Sequence, residues 1–147
     1  MNVVYFGHPI NVYDTTLETW LLEAITQKFT PKMIGKLEIC NPNTPEHDKG
    51  YSARRTLTGS GMDYFYEEVL PKCTTGVFLP FKDGRWAAGV FGEARWFQQQ
   101  GLPVWRITES GEIVPTDTLL VSSAGLVLTV KETRERIRDE QGMITPY

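Results

Sequence analysis

The sequence predicts an α/β fold: one three-layer domain with a central parallel sheet flanked by helices, flavodoxin/Rossmann-like in type. Two observations carry this expectation. Short apolar, β-rich runs alternate with segments of helical spacing, which is the pattern of a parallel sheet covered by helices. The chain has 147 residues, about the length of one domain, so 1–147 is read as a single unit.

The elements follow in order. "VVYFG" (3–7) reads as a buried strand ending in Gly. "HPINVYD" (8–14) is a loop. Thr15 and Glu18 have capping-box spacing, and Leu17, Trp20, Leu21, Ala24 and Ile25 recur at helical intervals, so 15–29 is a helix. Thr30-Pro31 stops it. "KLEICNPN" (36–43) is a second strand. Residues 44–61 are polar, rich in Gly and Ser/Thr and without a clear period, and are read as a long loop. Met62, Phe65, Tyr66, Val69 and Leu70 make one helical stripe over 61–70. "TTGVFLPF" (74–81) is an apolar, central strand. A turn (82–85) leads to a helix over 90–100 that Gly101 ends. "PVWRI" (103–107) is the fourth strand, and "ESGE" (109–112) a hairpin turn. Residues 118–123 fit a short strand or a helix. Thr129 and Glu132 cap a charged surface helix over 130–140.

Composition excludes several classes. Net charge is −3, and no basic stripe suits a nucleic-acid backbone. No apolar run is long enough to span a membrane, and "MNVVYFGHPIN" has no secretory character, so a cytoplasmic location is expected. Cys40 and Cys73 are expected as small buried thiols in a reducing compartment. Cys40 and His47 lack a partner pair, so no metal site is expected. No P-loop, dinucleotide fingerprint or hydrolase elbow is present, and no cofactor is expected.

Ligands of such sheets bind at the carboxyl ends of the strands. There the candidates are carboxylates. Glu93 lies in "GVFGEARWF" (89–97), which is read as a helix start after Gly89 and Gly92, off the buried stripe. Glycines allow close approach of a ligand, and a helix start offers free N–H groups. An acid in a first helical turn is equally explained by the helix dipole. Asp63, at the start of the 61–70 helix, carries the same two readings. Tyr5 is either a core tyrosine with a hydroxyl partner or a site residue.

Taken together, "VYFGHPIN" (4–11), "GMDYFYEEVLPKCTTGVFLP" (61–80) and "AAGVFGEARWFQQQGLPVWRI" (87–107) resemble the nucleoside 2-deoxyribosyltransferase-like family, over roughly 2–107. That group includes enzymes that hydrolyse the N-glycosidic bond of nucleoside monophosphates. The resemblance implies that Glu93 is the nucleophile, Tyr5 its orienting hydroxyl and Asp63 a proton donor to the leaving base. It also implies that Gly7, His8, Gly89 and Gly92 approach the substrate, a small-molecule nucleoside or nucleotide. It further implies a homodimer or higher homo-oligomer, because family enzymes commonly complete the site with C-terminal residues of a neighbour. Departures from the family pattern are Ala94 and Arg95 after the glutamate, with Trp86 and Trp96 nearby, which suggest a reshaped pocket or a subunit contact. His47, Lys49, Arg54 and Arg55 could meet a phosphate. The departures favour an alternative, a protein of the same fold that holds a nucleotide without cleaving it. A structural or interaction protein is the third reading, from four tryptophans and the charged C-terminal helix.

Overall fold

A computed structural model describes residues 2–31 and 35–147. Five strands form one sheet in the order β2-β1-β3-β4-β5. They are β1 (Asn2–Gly7), β2 (Leu37–Cys40), β3 (Thr75–Phe78), β4 (Val104–Ile107) and β5 (Ile113–Pro115). The first four run parallel, and β5 pairs antiparallel with β4 across the hairpin expected at 109–112. Hence the fold is α/β, a mostly parallel sheet with helices on its faces.

The central strands are apolar throughout because both their faces are covered. Val4, Phe6, Val77, Leu79 and Ile107 pack beneath α1 (Thr16–Phe29), which contributes Leu21, Ile25 and Phe29. Tyr5 and Phe78 point to the opposite face. There they meet α4 (Ala88–Gln99) through Val90, Ala94 and Phe97, and the helix before β3 through Phe65, Val69 and Leu70. One residue of slip in β1 would exchange these two sets and put Tyr5 under α1.

Residues 44–61 are not a loop. Pro45–Thr58 form a helix, α2, capped at its start by the Thr44 hydroxyl and closed by Gly59 at φ 84°. It has no apolar stripe because none of its residues is fully buried, so hydrophobic periodicity could not reveal it. It is fixed at its side instead. Arg54 bridges Glu67 and Glu68 at 2.6 and 2.7 Å, and Gly50 lets the ring of Tyr64 lie against the helix backbone.

The segment after it begins as α3 (Met62–Tyr64) and continues as a π-helix, Phe65–Val69, and a 3-10 turn, Leu70–Lys72. Residues 118–123 are helical, α5 (Thr118–Ser123), and α6 (Val130–Ile137) carries the complete Thr129/Glu132 capping box. At α1 only half of the expected box forms. Thr15 accepts from the Glu18 N–H, but the Glu18 carboxyl turns elsewhere.

The C-terminal segment clasps the loop that follows β3. Trp86 exchanges backbone hydrogen bonds with Leu126 and Leu128. Arg136 pairs with Asp83 at 2.7 Å and lies 4.3 Å over the ring of Phe81. The Tyr147 hydroxyl donates to the Pro80 carbonyl. This clasp sets the entry into α4. No helix among the described residues is long and apolar enough to cross a membrane.

The ring of Phe78 fills the space that side chains at Gly7 and Gly76 would take, 2.5 Å from a Cβ at either position. Phe78 is fully buried and wedged against Tyr5 and Phe97, so it cannot yield. Gly76→Ala is expected to destabilise the fold by about 1–3 kcal/mol, as overpacking does. A thermal melt within a degree of wild type would contradict this packing.

Candidate active site

At the carboxyl end of β1 and β2 the sheet opens into a cavity of about 860 Å³. That size suits a small-molecule ligand. The strand order reverses direction between β1 and β3, the place where ligands of such sheets bind. Three walls enclose the space: the loop after β1, the cavity-facing side of α2, and the starts of α4 and the π-helical segment.

Glu93 and Tyr5 form the floor. Tyr5 is fully buried and its hydroxyl donates to Glu93 Oε2. The helix holding Glu93 starts earlier than the sequence suggests. Ala88 is its first residue, so Glu93 is the sixth and lies in the second turn. The helix dipole favours acids only within the first turn, so that explanation does not apply to it. Nor is Glu93 off the buried stripe, since it is 6% exposed and packs on the same face as Val90, Ala94 and Phe97. A buried acid needs a specific reason.

Its environment sets its protonation. Burial pushes the Glu93 carboxyl up to about 8, against the opposing pull of the Tyr5 hydrogen bond, and the Cys40 thiol adds to the rise. Burial and the Glu93 charge push the Tyr5 hydroxyl far above its ordinary range, so Tyr5 remains a donor. Cys40 stands opposite Tyr5 in the strand register, and the neighbouring Cys73 thiol lowers its own.

His8 lines the cavity but is committed to the protein. Its Nδ1 donates to the Phe6 carbonyl at 2.9 Å, and its Nε2 lies 2.7 Å from Glu18. Glu18 also accepts from Asn43 Nδ2 and the Asp14 N–H. Burial raises the Glu18 carboxyl, but the His8 and Asn43 hydrogen bonds outweigh it and hold it below the ordinary value. This buried cluster ties the loop after β1 to the end of β2.

The expected glycines divide. Gly89 lines the cavity, with open space where a Cβ would stand. Gly7 lies beneath Glu93, where a Cβ would stand 3.3 Å from Oε1. Gly92 faces the other way, against the Tyr66 hydroxyl 2.6 Å from a would-be Cβ. Asp63 is outside the cavity lining and accepts from the Ser60 hydroxyl at 3.4 Å. Of the basic candidates, His47 and Arg55 line the cavity, and Arg54 is consumed by its glutamates. Trp86, Arg95 and Trp96 do not reshape the pocket. Trp86 is buried under the clasp, Trp96 packs on Phe97, and Arg95 is exposed.

Sequence reasoning named His47 and Arg55 but missed that they lie on a helix, α2, from which Asp48, Tyr51 and Ser52 face the cavity with them. Their spacing of i, i+1, i+4, i+5 and i+8 is one helical face, but a polar one, which a search for apolar stripes passes over. It also missed Thr133, Ile137 and Arg138, which bring the chain's own C-terminal region to the rim. Among the described residues no three His, Cys, Asp or Glu side chains gather as metal ligands.

Comparison with protein-family models, curated proteins and solved structures finds no match to this chain. The site is therefore interpreted from its own geometry.

The buried acid links stability to pH. Below about pH 4.5 the carboxyl is protonated in the folded and unfolded chains alike. From there to about pH 8 the unfolded chain has released the proton and the folded chain retains it, so stability falls as pH rises. Above about 8 the loss is complete. Glu93→Gln removes this linkage and keeps an acceptor for Tyr5. Its stability relative to wild type is expected to grow between about pH 5 and 8, by a few kcal/mol in all. Urea unfolding across that range checks it; parallel curves would mean that Glu93 is ionised when folded.

Proposed function

We propose that this protein cleaves or transfers the N-glycosidic bond of a nucleoside or nucleoside monophosphate, with Glu93 as the nucleophile. The observation that carries the reading is a buried carboxyl on the floor of a ligand-sized cavity, held by the Tyr5 hydroxyl. The resemblance to the nucleoside 2-deoxyribosyltransferase-like family supports the same assignment.

The chemistry follows from the charge that develops. Breaking a C1′–N bond makes the sugar cationic, as glycoside cleavage does. An ionised Glu93 beneath the anomeric carbon stabilises that charge and attacks C1′ to form an ester. The base departs with the bonding electrons and takes up a proton from solvent water. Water then hydrolyses the ester, or a second base displaces Glu93 to complete a transfer. Tyr5 orients the carboxylate by its hydrogen bond, which leaves Oε1 for the sugar. Tyr13, Tyr51 and Phe65 give the cavity aromatic walls against which a base can stack. Asp63 lies outside the cavity lining, so it is not the acid of this step. The proposal includes a cytoplasmic location and self-association, the latter supported by the exposed Leu119 and Leu120 on α5.

The test is incubation with pooled nucleosides and monophosphates, read by chromatography for free base. Glu93→Ala is expected to lower turnover by at least about 1,000-fold while the fold persists. Substrate recovered intact from wild-type protein would favour the alternative, a protein that binds a nucleotide without cleaving it. Because the nucleophile must be ionised, kcat/KM is expected to rise with pH and level off near 8. Tyr5→Phe removes the bond that holds the carboxyl down, so its profile is expected to shift to higher pH. An unshifted profile would rule out coupling between the two residues.

A further inference from the structure

The helix that carries Glu93 has no cap of its own. Its N-cap residue is Ala87, whose side chain offers no acceptor to the free N–H groups of the first turn. The acceptor comes instead from Thr133, 45 positions further along the chain, whose Oγ1 takes the Ala88 N–H at 3.0 Å. The hydroxyl is oriented for this. Its proton goes to the Thr129 carbonyl at 2.8 Å, so it presents a lone pair to α4. Thr129 is itself the N-cap of α6, held by its capping box with Glu132. Ile137 of the same helix is buried in one cluster with Ala87 and Val90, which sets α6 against the start of α4.

The first turn of α4 has little else to keep it closed. It contains Gly89, a poor helix former with open space where a side chain would stand. Val90 follows, buried, three residues before Glu93 and on the same face. Ala87, Gly89, Val90 and Glu93 all line the cavity.

We infer that Thr133 is a positioning residue for Glu93: by capping α4 from the C-terminal segment it keeps the first turn closed and Glu93 buried. The inference rests on the reading of Glu93 as the nucleophile for its catalytic consequence alone. Without the cap the first turn frays and water reaches the carboxyl. The burial that holds its proton up to about pH 8 is then relieved. Thr133 acts here through packing and not through charge. The titratable groups electrostatically coupled to Glu93 are Tyr5 on β1, Tyr13 in the loop after β1, Cys40 on β2, Tyr66 on the π-helix and Cys73 before β3. None of these belongs to α6.

The test is the titration of Glu93, read by NMR from the resonance of its carboxyl carbon in the protein without ligand. Thr133→Val keeps the shape of the side chain and removes the acceptor. It is expected to raise the ionisation constant of Glu93 at least about tenfold, moving the midpoint down from about 8. Thr133→Ser keeps the hydroxyl and is expected to titrate as wild type. Ala87→Ser gives α4 a cap of its own, and added to Thr133→Val it is expected to restore the wild-type midpoint. That rescue separates a lost cap from a general loss of packing. Thr133→Ala takes the place of the valine variant if valine does not fold. A wild-type titration in the protein without the Thr133 hydroxyl, a shift shared by Thr133→Ser, or a shift that Ala87→Ser leaves in place would overturn the inference. Turnover of pooled nucleosides, measured in parallel, separates it from the proposed function. A displaced titration in a protein that turns over no nucleoside removes only the catalytic reading, and turnover with an undisplaced titration removes only the inference.

Discussion

The hydrogen bond from Tyr5 to Glu93 is the contact around which the cavity is organised. It joins β1 to the helix that crosses the end of the sheet, at the floor of the cavity. A buried carboxyl without such a donor would be costly to retain. With it, burial still dominates and the carboxyl keeps its proton up to about pH 8. Much of the surrounding structure can be understood as holding these two side chains in register. Phe78 and Phe97 pack around the Tyr5 ring, and the absence of a side chain at Gly7 leaves room for Glu93 Oε1.

The second organising cluster is polar. His8, Glu18, Asn43 and Asp14 join the loop after β1, the start of α1 and the turn after β2. Each connection spends a donor on a carboxylate, so what faces the cavity is fixed by what is used behind it. Buried polar networks of this kind specify one arrangement only when their inner members are satisfied. In this one His8 and Glu18 are buried, while Asn43 is half-buried and Asp14 exposed at the cavity lining.

The C-terminal segment adds a further boundary to the three walls of the site. Thr133 accepts from the Ala88 N–H at the first turn of α4, and Arg138 reaches the rim. Arg136, bound to Asp83 and stacked on Phe81, fastens the segment to the loop between β3 and α4. The chain therefore supplies from its own C-terminal region residues that the family resemblance would assign to a neighbouring subunit. Self-association, if it follows, adds to a cavity that already has a wall there.

The sequence by itself determined the sheet and the helices that bury an apolar stripe. Apolar, β-rich composition marks β1 and β3, helical spacing marks α1 and the segment beginning at Met62, and Thr129 with Glu132 marks the start of α6. These signals are local, and burial of the same face writes them into neighbouring residues. It also marked Glu93, Tyr5 and His8, which the fold brings to one cavity, and Asp63 and Gly92, which the fold leaves outside it. Only the tertiary structure decided that Glu93 lies in a second helical turn against β1, and that residues 45–58 are a helix with a polar face toward the cavity. It also decided that Asn43 and Asp14 are neighbours across 29 positions of sequence. Polar faces carry no hydrophobic period, and Glu93, three residues after Val90 and four before Phe97, shares their face while breaking its apolar pattern. Which carboxyl is buried, and what it touches, is set by chain packing at long range, which local composition does not encode.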